Sequence, residues 1–334
     1  MNLQPFGLDL HEPLATAAGD IARREGFLVT LDEDDGRRGV GEACPLPGWT
    51  ESYDECRDAL ADAVPADLDT LPPAARHGVA LALLDADARE DGVSLYRHLG
   101  RDERVETVPV NATVGDAPPE PTRERVADAV SEGYTCVKLK AANRPLEEDI
   151  ERVAAAREVA PDIEIRLDAN GGWTRDTATR AFETLATFDV SYVEQPLPAS
   201  DLGGFAALPN TGVGIALDEG LYEHGIDAVL DSEITHLVLK PMALGGPDIA
   251  LELAGLARGA GIEPVVTTTI DGPIARAAAV HVAAAIPAVS ACGLATGSLL
   301  ATGEMPDPAP VTGGVAAVPQ KDGNTPAVLP ADYA

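Results

Sequence analysis

Lysine is scarce in this chain. There are four in 334 residues, at Lys138, Lys140, Lys240 and Lys321; the other twenty basic residues are arginines. Against 55 acids the formal charge is 24 − 55 = −31. Such a field repels nucleic-acid phosphates and anionic membranes, which sets both aside as partners. The acids are spread along the chain and form no acidic tail. That is the pattern of a solvated, halophilic surface, where counterions screen self-repulsion. Cysteine is also sparse. Cys44, Cys56, Cys136 and Cys292 form no CxxC and have no histidine pair at zinc-like spacing, so they are expected to be reduced core residues of a cytoplasmic protein. The start, MNLQPFGLDLHE, lacks the basic residues and long apolar run of a signal peptide. Residues 277–303 carry no formal charge apart from His281, but Pro287, glycines and Ser/Thr interrupt them. A buried helix followed by a buried strand is expected there, not a membrane span. The signatures GxxxxGK[ST], HExxH and GxSxG are missing, and GVGIAL at 212–217 lacks the third glycine of a dinucleotide loop.

What is present is a rhythm. From about residue 105, short β-branched runs alternate with Ala/Glu/Arg-rich helical stretches. The runs are VPVNATV (108–114), CVKLKA (136–141), IEIRLDAN (163–170), SYVEQPL (191–197), GIALDEG (214–220), THLVLKPM (235–242), IEPVVTTTI (262–270) and ACGLAT (291–296). Eight β/α units with nearly continuous apolar strands predict an α/β fold, a modified (β/α)8 barrel over 105–303. The first 104 residues differ. FLVTLDEDDGRRGVGEA reads as two strands joined by a polar turn, and 51–64 and 74–90 read as helices, so an α+β domain precedes the barrel. The Pro/Gly-rich tail, 304–334, is expected to pack back on that first domain.

On a strand, residues two apart share a face. Lys138 and Lys140 therefore point the same way, as do Arg166, Asp168 and Asn170. Lys140, Asp168, Glu194, Asp218 and Lys240 fall at or near the C-terminal ends of five consecutive strands, at steps of 28, 26, 24 and 22 residues. In a barrel those ends converge on one mouth, where active sites sit. Three carboxylates gathered there repel one another unless a cation joins them, and their hard oxygens suit Mg²⁺ or Mn²⁺. A lysine facing such a cation suits removal of a proton α to a carboxylate, a pairing already described for enolase-type sites. Taken singly, each residue has a plainer explanation. A strand-end acid is commonly a cap or an ion pair, Lys240 could snorkel, Lys138 could neutralise local acidity, and His236 looks structural. Three of four lysines and three evenly spaced acids at strand ends make the joint pattern the stronger reading.

The ordered set KLK (138–140), RLDAN (166–170), VEQP (193–196), LDEG (217–220) and LKP (239–241) resembles the muconate-lactonizing subgroup of the enolase superfamily. The resemblance implies that Asp168, Glu194 and Asp218 ligate Mg²⁺, that Lys140 is the acid/base and that Lys240 stands on the opposite face. It implies supporting roles for Lys138, Arg166, Asn170 and Glu219, with Lys138 lowering the pKa of Lys140 and Glu219 orienting Lys240. The stretch GVGEACPLPGWTES (39–52), with VPVNATV and GLATGSLLA (293–301), is most similar to the o-succinylbenzoate synthases. That similarity implies syn-dehydration of 2-succinyl-6-hydroxy-2,4-cyclohexadiene-1-carboxylate through an enediolate, in menaquinone synthesis, with TAAGDIARRE (16–25) as a mobile loop closing over the small-molecule carboxylate. Thr267 and Thr268 stand where small, Ser-rich substrate contacts are expected. The same lysines fit an N-acylamino acid racemase or a dipeptide epimerase, and a non-catalytic ligand-binding barrel is the third alternative. A homo-oligomer is compatible with all of these.

Overall fold

A computed structural model describes residues 1–16, 19–32, 38–303 and 305–325. The N-terminal region is a three-stranded antiparallel sheet, β1 (Asn2–Thr16), β2 (Gly19–Asp32) and β3 (Arg38–Ala43), followed by α1 (Tyr53–Ala61), α2 (Pro73–Glu90) and α3 (Leu95–His98). The two strands expected from FLVTLDEDDGRRGVGEA pair from Phe27↔Ala43 to Asp32↔Arg38; their connection, 33–37, lies outside the described residues. The loop expected over TAAGDIARRE, 16–25, is mostly strand among its described residues. β1 runs to Thr16 and β2 begins at Gly19, the register closing at Thr16↔Gly19, while Ala17 and Ala18 lie outside the described residues.

Local chemistry starts the first two helices. Ser52 opens α1 with a capping box: the Glu55 N–H donates to Ser52 Oγ at 3.3 Å, and the Ser52 N–H donates to Glu55 Oε2 at 2.9 Å. The Glu51 carboxylate accepts from the N–H groups of Ala74 and Ala75 in the first turn of α2, at 3.0 and 2.8 Å. α2 then lies directly on β3. A Cβ on Gly41 would fall 1.9 Å from the Gly78 carbonyl oxygen, so this contact requires glycine.

The second region begins with β4 (Thr107–Pro109) and β5 (Ala112–Val114). Alternating units follow: α4 (Pro119–Ser131), β6 (Cys136–Lys140), α5 (Leu146–Val159), β7 (Glu164–Asp168), α6 (Arg175–Leu185), β8 (Val190–Glu194), α7 (Leu202–Phe205), β9 (Gly214–Leu217), α8 (Glu219–Leu230), β10 (His236–Leu239), α9 (Pro241–Leu244), α10 (Pro247–Gly259), β11 (Glu263–Val266) and α11 (Pro273–Ala285). β5 to β11 form one seven-stranded sheet in chain order, every pair parallel. The outward strand residues and the inner helix faces make the larger apolar core, with Leu139, Leu167, Val193, Leu217 and Leu239 all buried.

Eight continuous barrel strands were expected, and two of the eight differ. VPVNATV divides, β4 pairing with the tail and β5 with the barrel, because Val110 donates to the Gly314 carbonyl while Asn111 donates to that of Cys292. ACGLAT is too short for a ladder. Cys292 donates to the Pro109 carbonyl and Gly293 to that of Val266, both at 2.9 Å, so single bridges on either side close the ring. A Cβ at Gly293 would meet Thr267 Oγ1 at 2.5 Å, so this close approach also needs glycine.

The tail first adds β12 (Val311–Thr312) and β13 (Val315–Ala317) to β4, and then reaches the N-terminal helices. Gly323 exchanges backbone hydrogen bonds with Val93 and Leu95, and the Asn324 N–H donates to Asp85. Residues 326–334 lie outside the described residues. The segment questioned for membrane insertion begins in α11, which is buried along its whole length. Among the described residues no helix is long and apolar enough to cross a membrane.

Arg24, Glu42 and Arg76 are among the side chains that join the two regions. Buried Arg24 donates to the carbonyls of Ile270, Pro45 and Cys44 at 2.8–3.0 Å. The Glu42 carboxylate accepts from Gly272, Ile274 and Ala275, capping α11 from the other region. Arg76 pairs with Asp248 at 2.9 Å. These contacts set the 44–50 stretch beside the C-terminal mouth of the barrel.

Candidate active site

The pleat of CVKLK alternates as its sequence predicts. Val137 and Leu139 are buried against the helices, while Lys138 and Lys140 face inward. The ladder then aligns the strand ends, with Lys140 the register partner of Asp168, and Asp168 that of Glu194. Buried Arg152 fixes the end of β6 by donating to the Lys140 carbonyl at 2.5 Å, and Asp149 accepts from the Ala142 N–H at 2.8 Å. Ala142, Asn170, Gln195 and Ile270 each follow a barrel strand and adopt positive φ, between 42° and 67°. Such conformations are uncommon for residues with a Cβ and cluster where backbone is held for function. Gln195 shows what one of them holds. Its Oε1 accepts from the N–H groups of Asp218 and Gly220, both at 3.1 Å, tying β8 to the start of α8.

The structure brings together the three acids and three lysines. Lys138 Nζ lies 3.1 Å from Asp168 Oδ2 and 3.0 Å from Glu194 Oε2. Lys140 Nζ lies 2.7 Å from Asp168 Oδ2 and 2.8 Å from Asn170 Oδ1. Lys240 Nζ lies 2.6 Å from Asp218 Oδ2. In the closed ring β6 and β10 stand four positions apart, so Lys140 and Lys240 face the site from opposite sides.

Burial governs the electrostatics. It pushes the Glu194 carboxyl up to about 7, aided by the charge of Asp168 and opposed by Lys138. It raises Asp218 to about 6 despite Lys240, with Glu219 adding to the rise. At Asp168 burial acts the same way, but the Lys138 and Lys140 ammonium groups more than offset it and hold the carboxyl well below its ordinary range. Burial opposes the charge on Lys138 too, yet Asp168 and Glu194 hold its pKa well above the usual lysine value. Lys138 thus spends its charge on the acids, where the sequence suggested a service to Lys140.

Whether a divalent cation fits is decided by the donors. As they stand, the acids are turned to the lysines, and among the described residues no three His, Cys, Asp or Glu side chains converge tightly enough to hold a metal ion. The donor chemistry nonetheless fits. Asp168, Glu194 and Asp218 offer only oxygens, all three are buried, and Asp218 Oδ1 is buried with no hydrogen-bond partner.

Other expected residues serve differently. Glu219 Oε1 accepts from Asn170 Nδ2 at 3.2 Å, so it supports the Lys140 side; the expectation that it orients Lys240 is corrected. Arg166 donates to Glu164 and the Ala291 carbonyl and lies over the Tyr192 ring, one layer below the acids. Tyr192 also packs at a tilt against His236, 4.4 Å between ring centroids. Thr267 donates to the Gly293 carbonyl, and Thr268 pairs with Thr296, so both hydroxyls tie β11 to the closing segment. Sequence reasoning missed Gln195, although it sits within VEQP, and missed Trp49, whose ring centroid lies 3.2 Å from Lys240 Nζ. A cavity of about 670 Å³ is lined by His11, Tyr134, Asp271, Arg276 and Asp307 among others, and includes none of the six central residues.

Comparison with known proteins agrees with this geometry. Residues 122–325 match the family described as enolase C-terminal domain-like. The o-succinylbenzoate synthase of Thermosynechococcus vestitus is 32% identical over 291 residues, 81% of this chain and 84% of that protein. The hydrophobic dipeptide epimerase of Enterococcus faecalis is 29% identical over 332 residues, 92% and 91% of the two chains. A dipeptide epimerase from Methylococcus capsulatus, solved with Mg and the dipeptide L-Arg-D-Lys, superposes with a TM-score of 0.86 at 26% identity, covering 97% of this chain and 98% of that one. With the barrel, the opposed lysines and the three buried acids, the chain belongs to the enolase superfamily.

Proposed function

We propose that the chain is an o-succinylbenzoate synthase, a carbon–oxygen lyase, with residues 1–104 as capping domain and 105–303 as catalytic barrel. The observation that carries this reading is the unequal pair of opposed lysines. Lys140 has a side chain one-third exposed at the mouth, whereas Lys240 is buried against Asp218. One open base on one face suits a syn elimination. Lys140 removes the proton α to the substrate carboxylate. The same ammonium then returns a proton to the departing hydroxyl on that face. A C–H and a C–O bond break, water leaves, and the ring becomes aromatic. Lys240 supplies positive charge opposite, where negative charge develops. Asp168, Glu194 and Asp218 would hold Mg²⁺, or Mn²⁺, whose chemistry is charge stabilisation at the substrate carboxylate.

The test is an ultraviolet assay of the full chain with Mg²⁺ and the cyclohexadiene substrate in high salt. Formation of the aromatic product, abolished by a chelator, is expected. A folded, Mg²⁺-binding protein that forms none would overturn the reading. The second reading, an N-acylamino acid racemase or dipeptide epimerase, draws on the epimerase relative, which spans nearly the whole chain. Exchange of an α-proton with solvent deuterium identifies it. We read the enzyme as cytoplasmic and adapted to salt. Its formal charge of −31 implies a melting temperature that rises with ionic strength.

A further inference from the structure

Lys240 has a neighbour that Lys140 lacks. Trp49 stands on the turn between β3 and α1, in the capping stretch. That turn is closed by Trp49 and Thr50 N–H groups donating to the Leu46 carbonyl, both at 2.9 Å, and by the Leu46 N–H donating to Thr50 Oγ1 at 2.8 Å. The indole face lies against Lys240, 3.2 Å from Nζ to the ring centroid. Tyr222 packs edge-on against the same indole, at 5.3 Å between centroids and 82° between planes. The ammonium is thus held between the Asp218 carboxylate and an aromatic face, a pairing that is strong when desolvated. Arg24 and Glu42 anchor the capping region to the barrel beside it, so the position of the indole is set by the interface between the two regions.

We propose that Trp49 is a positioning residue for Lys240. Resting on the site reading above, it holds that ammonium in place between the Asp218 carboxylate and the indole, as a fixed charge and not as a second base. Proton transfer is thereby confined to the Lys140 face, which favours elimination over racemisation. The capping region then contributes to the choice of reaction as well as to enclosure.

The test compares Trp49→Leu and Trp49→Phe in the full chain with Mg²⁺, after circular dichroism has shown both to be folded. Trp49→Leu should lower kcat for dehydration about tenfold while KM moves less than about threefold, and Trp49→Phe should restore most of it. Deuterium uptake is followed separately on N-succinyl-L-arginine and its D-enantiomer, each presenting its α-proton to one lysine. Where the wild type exchanges them unequally, Trp49→Leu should narrow the difference. Unchanged kcat in Trp49→Leu, or equal loss in Trp49→Phe, overturns the proposal. If the wild type neither dehydrates nor exchanges, the functional reading fails, and emission decides the positioning. In a Trp173→Phe background Trp49 is the sole tryptophan. Lys240→Met should then change its fluorescence where Lys138→Met does not, and unchanged emission overturns the contact.

Discussion

The two sides of the mouth hold their lysines by different physics. On one side Lys140 rests in a polar chain, Asp168, Asn170 and Glu219, with a third of its side chain open. On the other, Lys240 is enclosed by Asp218 and Trp49, with 9% of its side chain exposed. A hydrogen-bonded lysine near solvent can turn and exchange a proton. An ammonium fixed between a carboxylate and an indole acts by position. On the function proposed above, this asymmetry gives Lys140 the proton transfer and Lys240 the charge.

The sharpest way to break that comparison is to remove each lysine. Lys140→Ala should abolish turnover, on the order of a thousandfold or more, with circular dichroism and Mg²⁺ binding retained. Retained turnover would remove Lys140 from the mechanism. Lys240→Ala should cost less, on the order of a hundredfold, since it removes charge stabilisation but leaves the proton path intact. An effect equal to that of Lys140→Ala would make the two sides equivalent and favour two-base chemistry. Asn170→Ala removes one of the two partners of Lys140 and its link to Glu219. It should lower kcat about tenfold and leave KM nearly unchanged, and a change in KM alone would assign Asn170 to binding.

Stability can be separated from the site through His281. This buried ring accepts from the Tyr96 N–H at Nδ1 and donates from Nε2 to the Asn324 carbonyl, joining α11, α3 and the tail. Burial lowers its pKa to about 4. The unfolded chain therefore takes up this proton first as pH falls. The contribution is complete above about 6.5 and lost progressively down to about 4, up to roughly 3 kcal/mol. Urea titrations at pH 7 and pH 5 should show the loss. His281→Gln should be less stable at pH 7 but less sensitive to that pH change, and an unaltered pH dependence would remove His281 as its source.

Much of the barrel side was legible because strand periodicity is local. An inward Lys138 implies an inward Lys140, and even spacing of Asp168, Glu194 and Asp218 implies neighbouring strand ends. The closing segment was less legible, since Cys292 and Gly293 bridge as single residues and no alternating run is needed for that. The side chain of Glu219 could equally have turned toward either lysine, and its bond to Asn170 depends on how α8 leaves β9.

The sequence by itself determined the eightfold rhythm, the inward pair in CVKLK and the oxygen-only acid set. Each follows from strand period and residue chemistry within a single β/α unit. Only the tertiary structure decided which acid each lysine meets, and that Lys240 lies against Trp49 while Lys140 does not. Those contacts join segments far apart in the chain. They are fixed by the closure of the barrel and by Arg24 and Glu42 docking the first region onto it, so no local spacing records them.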